Sequence, residues 1–213
     1  MQIFWHGFSC VRIEANQGDQ AATLVTDPYG SDLGLRFPRT LAPDVVALSH
    51  QDQKKFSLDG FTNKPFYLSD PGEYEVKGIF AYGISLKDEG TSPHTLMYRF
   101  EIEGMSIGFL GGLHRTLTDE EAGKLENIDV LFLPVGGSGA FTVKQAIETI
   151  NEIEPRVVIP LGYHVEGIKE KLGTADAFCK QLGVCKRQDV NKLKLAKKDL
   201  PAEDLFVYVL ERA

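Results

Sequence analysis

The strongest constraint on this chain is the order in which two local patterns occur. Short runs rich in Val, Ile, Phe and Tyr dominate the first half: Gln2 to Trp5, Ser9 to Ile13, Thr23 to Thr26, Val45 to Leu48, Thr95 to Glu101 and Ser106 to Leu110. β-Branched and aromatic side chains suit a pleated surface, so these runs are expected strands. Turn chemistry separates them at Asn16-Gln17-Gly18-Asp19, Asp27-Pro28-Tyr29-Gly30, Asp70-Pro71-Gly72 and Glu103-Gly104, the last a hairpin candidate. In the second half the period changes. Thr118-x-x-Glu121 is a capping box that predicts a helix through about Glu126, and Asp129 to Leu133 reads as a short buried strand. Thr142-x-x-Gln145 repeats the device before Val143, Ala146, Ile147, Ile150 and Ile153, an apolar stripe that stops at Pro155. A strand at Val157 to Ile159, a third helix near Ala175 to Leu182 and a strand at Leu205 to Leu210 complete the series. Strands first and αβ alternation afterwards imply sheets covered on their outer faces by helices, an α/β architecture.

A chain of 213 residues can bury a sizeable core and is expected to form a single domain over 1–213. No apolar run approaches the roughly 20 residues of a membrane helix, so no membrane role is expected. Met1-Gln2-Ile3-Phe4-Trp5 carries no basic region followed by an apolar stretch, which makes the cytoplasm the expected location. A net charge of -7 and a pI near 5.3 make nucleic acid an unlikely partner, since that needs a basic surface. Lys186, Arg187, Lys192, Lys194, Lys197 and Lys198 concentrate positive charge locally, as a solvated face does. Cys10, Cys179 and Cys185 form an odd set without C-x-x-C spacing, and are expected to be buried or incidental thiols, neither a disulfide framework nor a thiolate zinc site.

Four segments in order resemble the metallo-β-lactamase superfamily, in particular its small bacterial branch of zinc-dependent hydrolase-like proteins. Trp5-His6-Gly7-Phe8-Ser9-Cys10 with Leu24-Val25-Thr26-Asp27-Pro28 resembles the opening hairpin and the strand ending in T-D-P. Asp44-Val45-Val46-Ala47-Leu48-Ser49-His50 resembles the strand delivering the H-x-H-x-D-H ligand loop, and Asp70-Pro71-Gly72-Glu73-Tyr74-Glu75-Val76 the G-E-Y-E segment. Asp129 to Gly137 and Val158-Ile159-Pro160 resemble the two late strands framing the site. The resemblance implies a four-layer αβ/βα sandwich with its site at one edge between two sheets.

It also implies ligand positions, and there the chain departs from the pattern. Laying H-x-H-x-D-H on the sequence puts them at His50, Asp52, Lys54 and Lys55, of which only His50 is kept. An ammonium at neutral pH has no lone pair to give a metal, and it repels one. The bridging aspartate of the family falls at Gly112, the late histidine at Gly162, and the middle histidine in Ser85-Leu86-Lys87-Asp88-Glu89, which has none. These positions form a vestigial site with no confident catalytic residue and no expected cofactor, because without zinc nothing lowers the pKa of water to about 7. The expected function is therefore a superfamily-fold protein that is catalytically inactive, a binding or assembly module. The alternative is a hydrolase of esters, phosphoesters or lactones with one zinc or iron on a shifted site of His50, Asp52, His114 and His164. Its basis is that His114 and His164 each lie two residues beyond an erased ligand, on the same side of an extended chain. Asp27 or Asp52 pairing with Lys54 or Lys55 would replace a lost metal charge. Gly136-Gly137-Ser138-Gly139 before the helix at Thr142 suggests a pocket for a small anionic ligand. His6 reads as a hydrogen-bonded structural histidine and His94 as a loop residue.

Overall fold

The structure, a computed structural model, describes residues 1–18, 20–38, 40–86, 94–137, 141–188 and 191–213. Six strands make one sheet: β1 (Gln2–Gly7), β2 (Cys10–Gln17), β3 (Gln20–Thr26), β4 (Val45–Ala47), β5 (Phe66–Leu68) and, later in the chain, β13 (Leu193–Lys194). Eight make the other: β6 (Gly72–Val76), β7 (Ile79–Leu86), β8 (Thr95–Ile102), β9 (Met105–Phe109), β10 (Val130–Pro134), β11 (Val157–Leu161), β12 (Lys186–Gln188) and β14 (Phe206–Leu210). The helices are α1 (Asp119–Gly123), α2 (Val143–Ile153) and α3 (Ala175–Leu182). Spatial orders are β13-β1-β2-β3-β4-β5 and β12-β14-β11-β10-β9-β8-β7-β6. Each sheet begins as antiparallel hairpins and turns parallel, at β3-β4-β5 in the first and at β9-β10-β11 in the second. This is the expected α/β sandwich.

The alternation along β3 shows how the layers form. Leu24 joins the large cluster that unites both sheets and the helices, while its neighbour Val25 points into a second cluster with Cys10, Val46, Leu48, Tyr29 and Ile168. The second cluster is covered by loops and by two 3-10 turns, Ser31–Leu33 and Gln53–Lys55. Of the stripe read from the sequence α2 buries Ala146, Ile150 and Ile153 in the large cluster, with Val143 and Ile147 partly buried against it, and it buries Thr149 in addition. Both capping boxes form: Thr118 accepts from the Glu121 amide and Thr142 from that of Gln145. The Glu103-Gly104 hairpin also forms, with both residues at positive φ, as a two-residue turn matched to strand twist requires.

Several differences have clear causes. α1 ends at Gly123, short of Glu126. Strands β5, β6, β7, β12 and β13 were not among the expected ones, although β5 and β7 carry Phe, Tyr and Ile. β6 and β7 contain Gly72 and Gly83, and a Cβ at Gly83 would stand 2.8 Å from the Asp70 carbonyl, so the strand takes glycine where another backbone passes. The cysteine expectation is corrected: Cys179 and Cys185 form a disulfide, with Cα atoms 5.5 Å apart. Gly183 in the left-handed region ends α3 and turns the chain back, which brings six-residue neighbours into bonding range. Cys10 is a buried free thiol. The turn residue Asp19, and Lys87, Asp88, Glu89, Ser92, Pro93, Ser138 and Gly139 lie outside the described residues. Among the described residues no helix is long and apolar enough to cross a membrane.

Candidate functional site

Parallel strands end together, and their exits converge. The segments leaving β3 (Asp27, Pro28), β4 (Ser49, His50), β9 (Gly111, Gly112) and β11 (Gly162), with the β1–β2 turn (Phe8, Ser9), line a cleft of about 650 Å³. Carboxyl ends of parallel strands are where α/β sheets bind ligands, and the volume suits a small molecule.

Asp27 forms the floor. It is 5 % exposed and sits at φ 38, a left-handed backbone that costs a side-chain-bearing residue about 1–2 kcal/mol. Its amide donates to the Ala47 carbonyl at 3.0 Å, fixing it across the β3–β4 pair. Oδ1 accepts from the Ser49 amide and Oδ2 from the Ser49 hydroxyl, both at 2.7 Å. Burial pushes the carboxyl up to about 7, although the Ser49 bonds favour the charged form. Beside it, burial and the Asp27 charge raise the Cys10 thiol well above its usual range, so it stays protonated and unreactive.

The two sheets are laced together around this floor. Ser9 Oγ donates to the Gly111 carbonyl at 2.8 Å, and the Gly162 amide donates to the Phe8 carbonyl at 2.9 Å. Trp5 Nε1 donates to the same carbonyl at 3.0 Å, and the Trp5 ring stacks on Tyr163. Phe8 itself is held at φ 52.

The structure divides the vestigial positions. His50, Lys55, Gly112 and Gly162 line the cleft, whereas Asp52 and Lys54 do not. Asp52 is engaged locally: its carboxylate accepts from the Lys54 amide at 3.2 Å, and its amide donates to His50 Nδ1 at 2.9 Å. The shifted set is divided too. His114 lines the cleft, with Nδ1 3.3 Å from the Gly112 carbonyl. His164 is exposed outside it, its amide donating to the Gly173 carbonyl. Asp27 and Asp52 are bonded to Ser49 and to the Lys54 backbone, and among the described residues no ion pair joins them to Lys54 or Lys55. That corrects the expected charge substitution: Asp52 caps the amide two residues on in its own turn, a local bond that competes with an ion pair, and Asp27 is taken by Ser49. Gly136 and Gly137 do not line the cleft, and the α2 amides are served by the Thr142 box. His94 is a half-buried loop residue whose amide donates to Gln51 Oε1.

His6 departs from expectation as well. It is buried, and among the described residues neither ring nitrogen reaches a partner at full hydrogen-bond geometry, the Ala213 backbone making only a weaker contact. Burial first, and then the Arg12 charge, push its pKa down to about 4, with the Ala213 backbone offsetting only part of this, so the ring is neutral. Sequence reasoning singled out Asp27 but missed Ser49 and Ser9. Their roles come from pairing across 22 and 102 residues, for which no local signal exists.

The described residues do not assemble a metal centre. Among the described residues no three of His, Cys, Asp or Glu stand where they could share an ion. At Gly112 a Cβ would lie 2.7 Å from Ser49 Oγ and 2.9 Å from the Ser49 carbonyl, so the stem of a carboxylate would have to displace Ser49.

Residues 2–162 match the family described as the Beta-lactamase superfamily domain. A metal-dependent hydrolase of Thermoplasma acidophilum is 24 % identical over 204 residues, covering 77 % of this chain and 84 % of its own length. One from Enterococcus faecalis is 24 % identical over 200 residues, covering 77 % and 87 %. Relatives therefore occur outside bacteria. A crystal structure from Thermotoga maritima, described as a candidate zinc-dependent hydrolase of the metallo-β-lactamase superfamily, superposes with a TM-score of 0.80 at 28 % identity, over 99 % of both chains.

Proposed function

Because this chain belongs to the β-lactamase superfamily, whose relatives include metal-dependent hydrolases, we propose that it has kept the superfamily's cleft as a binding site and given up metal-dependent hydrolysis. One observation carries this reading: of the positions where the superfamily pattern places ligands only His50 keeps an imidazole, the others holding a locally bonded carboxylate, two ammonium groups and two glycines, and Ser49 fills the space at one of them. Lysine and glycine offer a cation no electron pair from a side chain at neutral pH. What remains is a cleft with a buried, hydrogen-bonded floor, suited to hold a small molecule rather than to activate water.

Metal content is the test that separates this reading from the shifted zinc or iron site. Protein made without a histidine tag should carry well below one zinc or iron per chain and should not hydrolyse ester, phosphoester or lactone substrates. Near-stoichiometric metal together with chelator-sensitive hydrolysis would restore the hydrolase reading.

A further inference from the structure

The cleft carries opposite charges that do not neutralise each other. Lys55, at the end of the 3-10 turn Gln53–Lys55, is exposed and lines it. Asp32, in the turn Ser31–Leu33, and Glu170 are exposed and line it as well. The two carboxylates belong to one wall, because the Lys169 amide donates to the Leu33 carbonyl at 3.0 Å and ties the Glu170 segment to the Asp32 turn. No ion pair within 4.0 Å joins Lys55 to Asp32 or Glu170 among the described residues. The third carboxyl of the cleft, Asp27, is spent: both its oxygens accept from Ser49. The same lining carries apolar and aromatic side chains, Phe8, Leu33, Phe56 and Phe141, beside His50 and His114.

We infer that the cleft binds a small zwitterion with an apolar body, of the amino-acid or dipeptide class, with its carboxylate at Lys55 and its ammonium at Asp32 and Glu170. This rests on the non-hydrolytic reading above and extends it to a ligand class. A lone anion would meet the two carboxylates of the lining, and a lone cation would meet Lys55. A zwitterion pairs with both, and an apolar side chain gains the burial that Phe8, Phe56 and Phe141 offer.

Three ligands of one shape separate the contributions: phenylalanine, 3-phenylpropionate (no ammonium) and 2-phenylethylamine (no carboxylate), with the dipeptide Ala-Phe to test wider charge spacing. Titrations into the full chain, followed by calorimetry or amide chemical shifts, should show phenylalanine or Ala-Phe binding at least about tenfold tighter than either half-charged analogue. Lys55→Gln should erase the preference over 2-phenylethylamine, and Asp32→Asn with Glu170→Gln the preference over 3-phenylpropionate. These exposed positions leave folding intact, which circular dichroism verifies. Equal binding of all ligands, binding of none, or preferences that survive the substitutions overturns the zwitterion assignment. If bound peptide is instead cleaved by metal-loaded protein, the non-hydrolytic reading fails separately, because metal content and cleavage are read independently of affinity.

Discussion

The cleft end of this molecule and its helix-covered flank are built on different principles. On the flank, α1 and α2 are specified within a few residues of themselves: Thr118 with Glu121, Thr142 with Gln145, and an apolar stripe at spacings of three and four. At the cleft, structure comes from distant partners, Asp27 with Ser49, Ser9 with Gly111 and Phe8 with Gly162; left-handed backbone does not separate the two regions, since Phe8 and Asp27 at the cleft are matched by Asn127 and Glu154 on the flank. Segments specified by their own sequence should tolerate substitution. Segments held by long-range bonds depend on several partners at once, and there substitutions should act steeply and on binding.

The sharpest contrast is between glycines. A Cβ at Gly136 would stand 2.0 Å from the Gly162 carbonyl oxygen and 3.0 Å from Tyr163 Cα, both backbone, so Gly136→Ala must push apart the loops after β10 and β11. A loss of about 4 kcal/mol is expected, a fall in Tm of roughly 10 °C, measured by calorimetry. A change below about 1 kcal/mol would mean the cleft loops are as forgiving as the flank.

Asp27 gives the next largest effect, and it depends on pH. Its folded pKa of about 7 exceeds the ordinary value of 3.8, so between those limits the folded chain holds a proton the unfolded chain has released. The stability this proton contributes is complete below about pH 4 and is lost as pH rises through 7. His6, lowered to about 4, acts in the opposite sense below pH 6.5, so the effect must be isolated by difference. The stability of wild type minus that of Asp27→Asn should decline by on the order of 3 kcal/mol from pH 4 to pH 8. Denaturant midpoints across that range measure it, and a flat difference would show that Asp27 is ionised at all these values.

This contrast also explains what could be read in advance. α2, α3 and the Glu103-Gly104 hairpin were legible because caps, period and turn residues lie side by side in the chain. Strands β6 and β7 include Gly72 and Gly83, which lower strand propensity, and at Gly83 the glycine makes room for the Asp70 backbone. The Cys179–Cys185 bond was hidden by counting, since an odd cysteine total conceals a pair once Cys10 is buried apart. Of the site, the erased ligand positions were visible by resemblance. That Ser49 would satisfy both oxygens of Asp27, and that Asp52 would turn to cap its own loop, depends on three-dimensional neighbours that no spacing rule supplies.

The flank should respond only in stability. Arg115 reaches both Glu121 oxygens at 2.8 Å, and this bond, more than any other contact, holds the Glu121 carboxyl down to about 2. Glu121→Gln breaks the charged fork while keeping part of the capping box, so a loss of about 2 kcal/mol at pH 7 is expected. The penalty should shrink as pH falls from 4.5 toward 2, because the wild-type carboxylate itself becomes protonated there. Ligand affinity should not move.

The smallest effect runs the other way and probes the comparison most cleanly. Gly123 is the last residue of α1, and a Cβ there would meet nothing within 4 Å. Glycine in a helix leaves the unfolded chain more freedom to lose than alanine does, so Gly123→Ala should stabilise the protein by about 0.5–1 kcal/mol. The same change at Gly136 is expected to cost several times that, although both are glycines beside short loops. If Gly123→Ala destabilises instead, α1 is held by something other than its local sequence, and the division between a self-specified flank and a mutually braced cleft no longer stands.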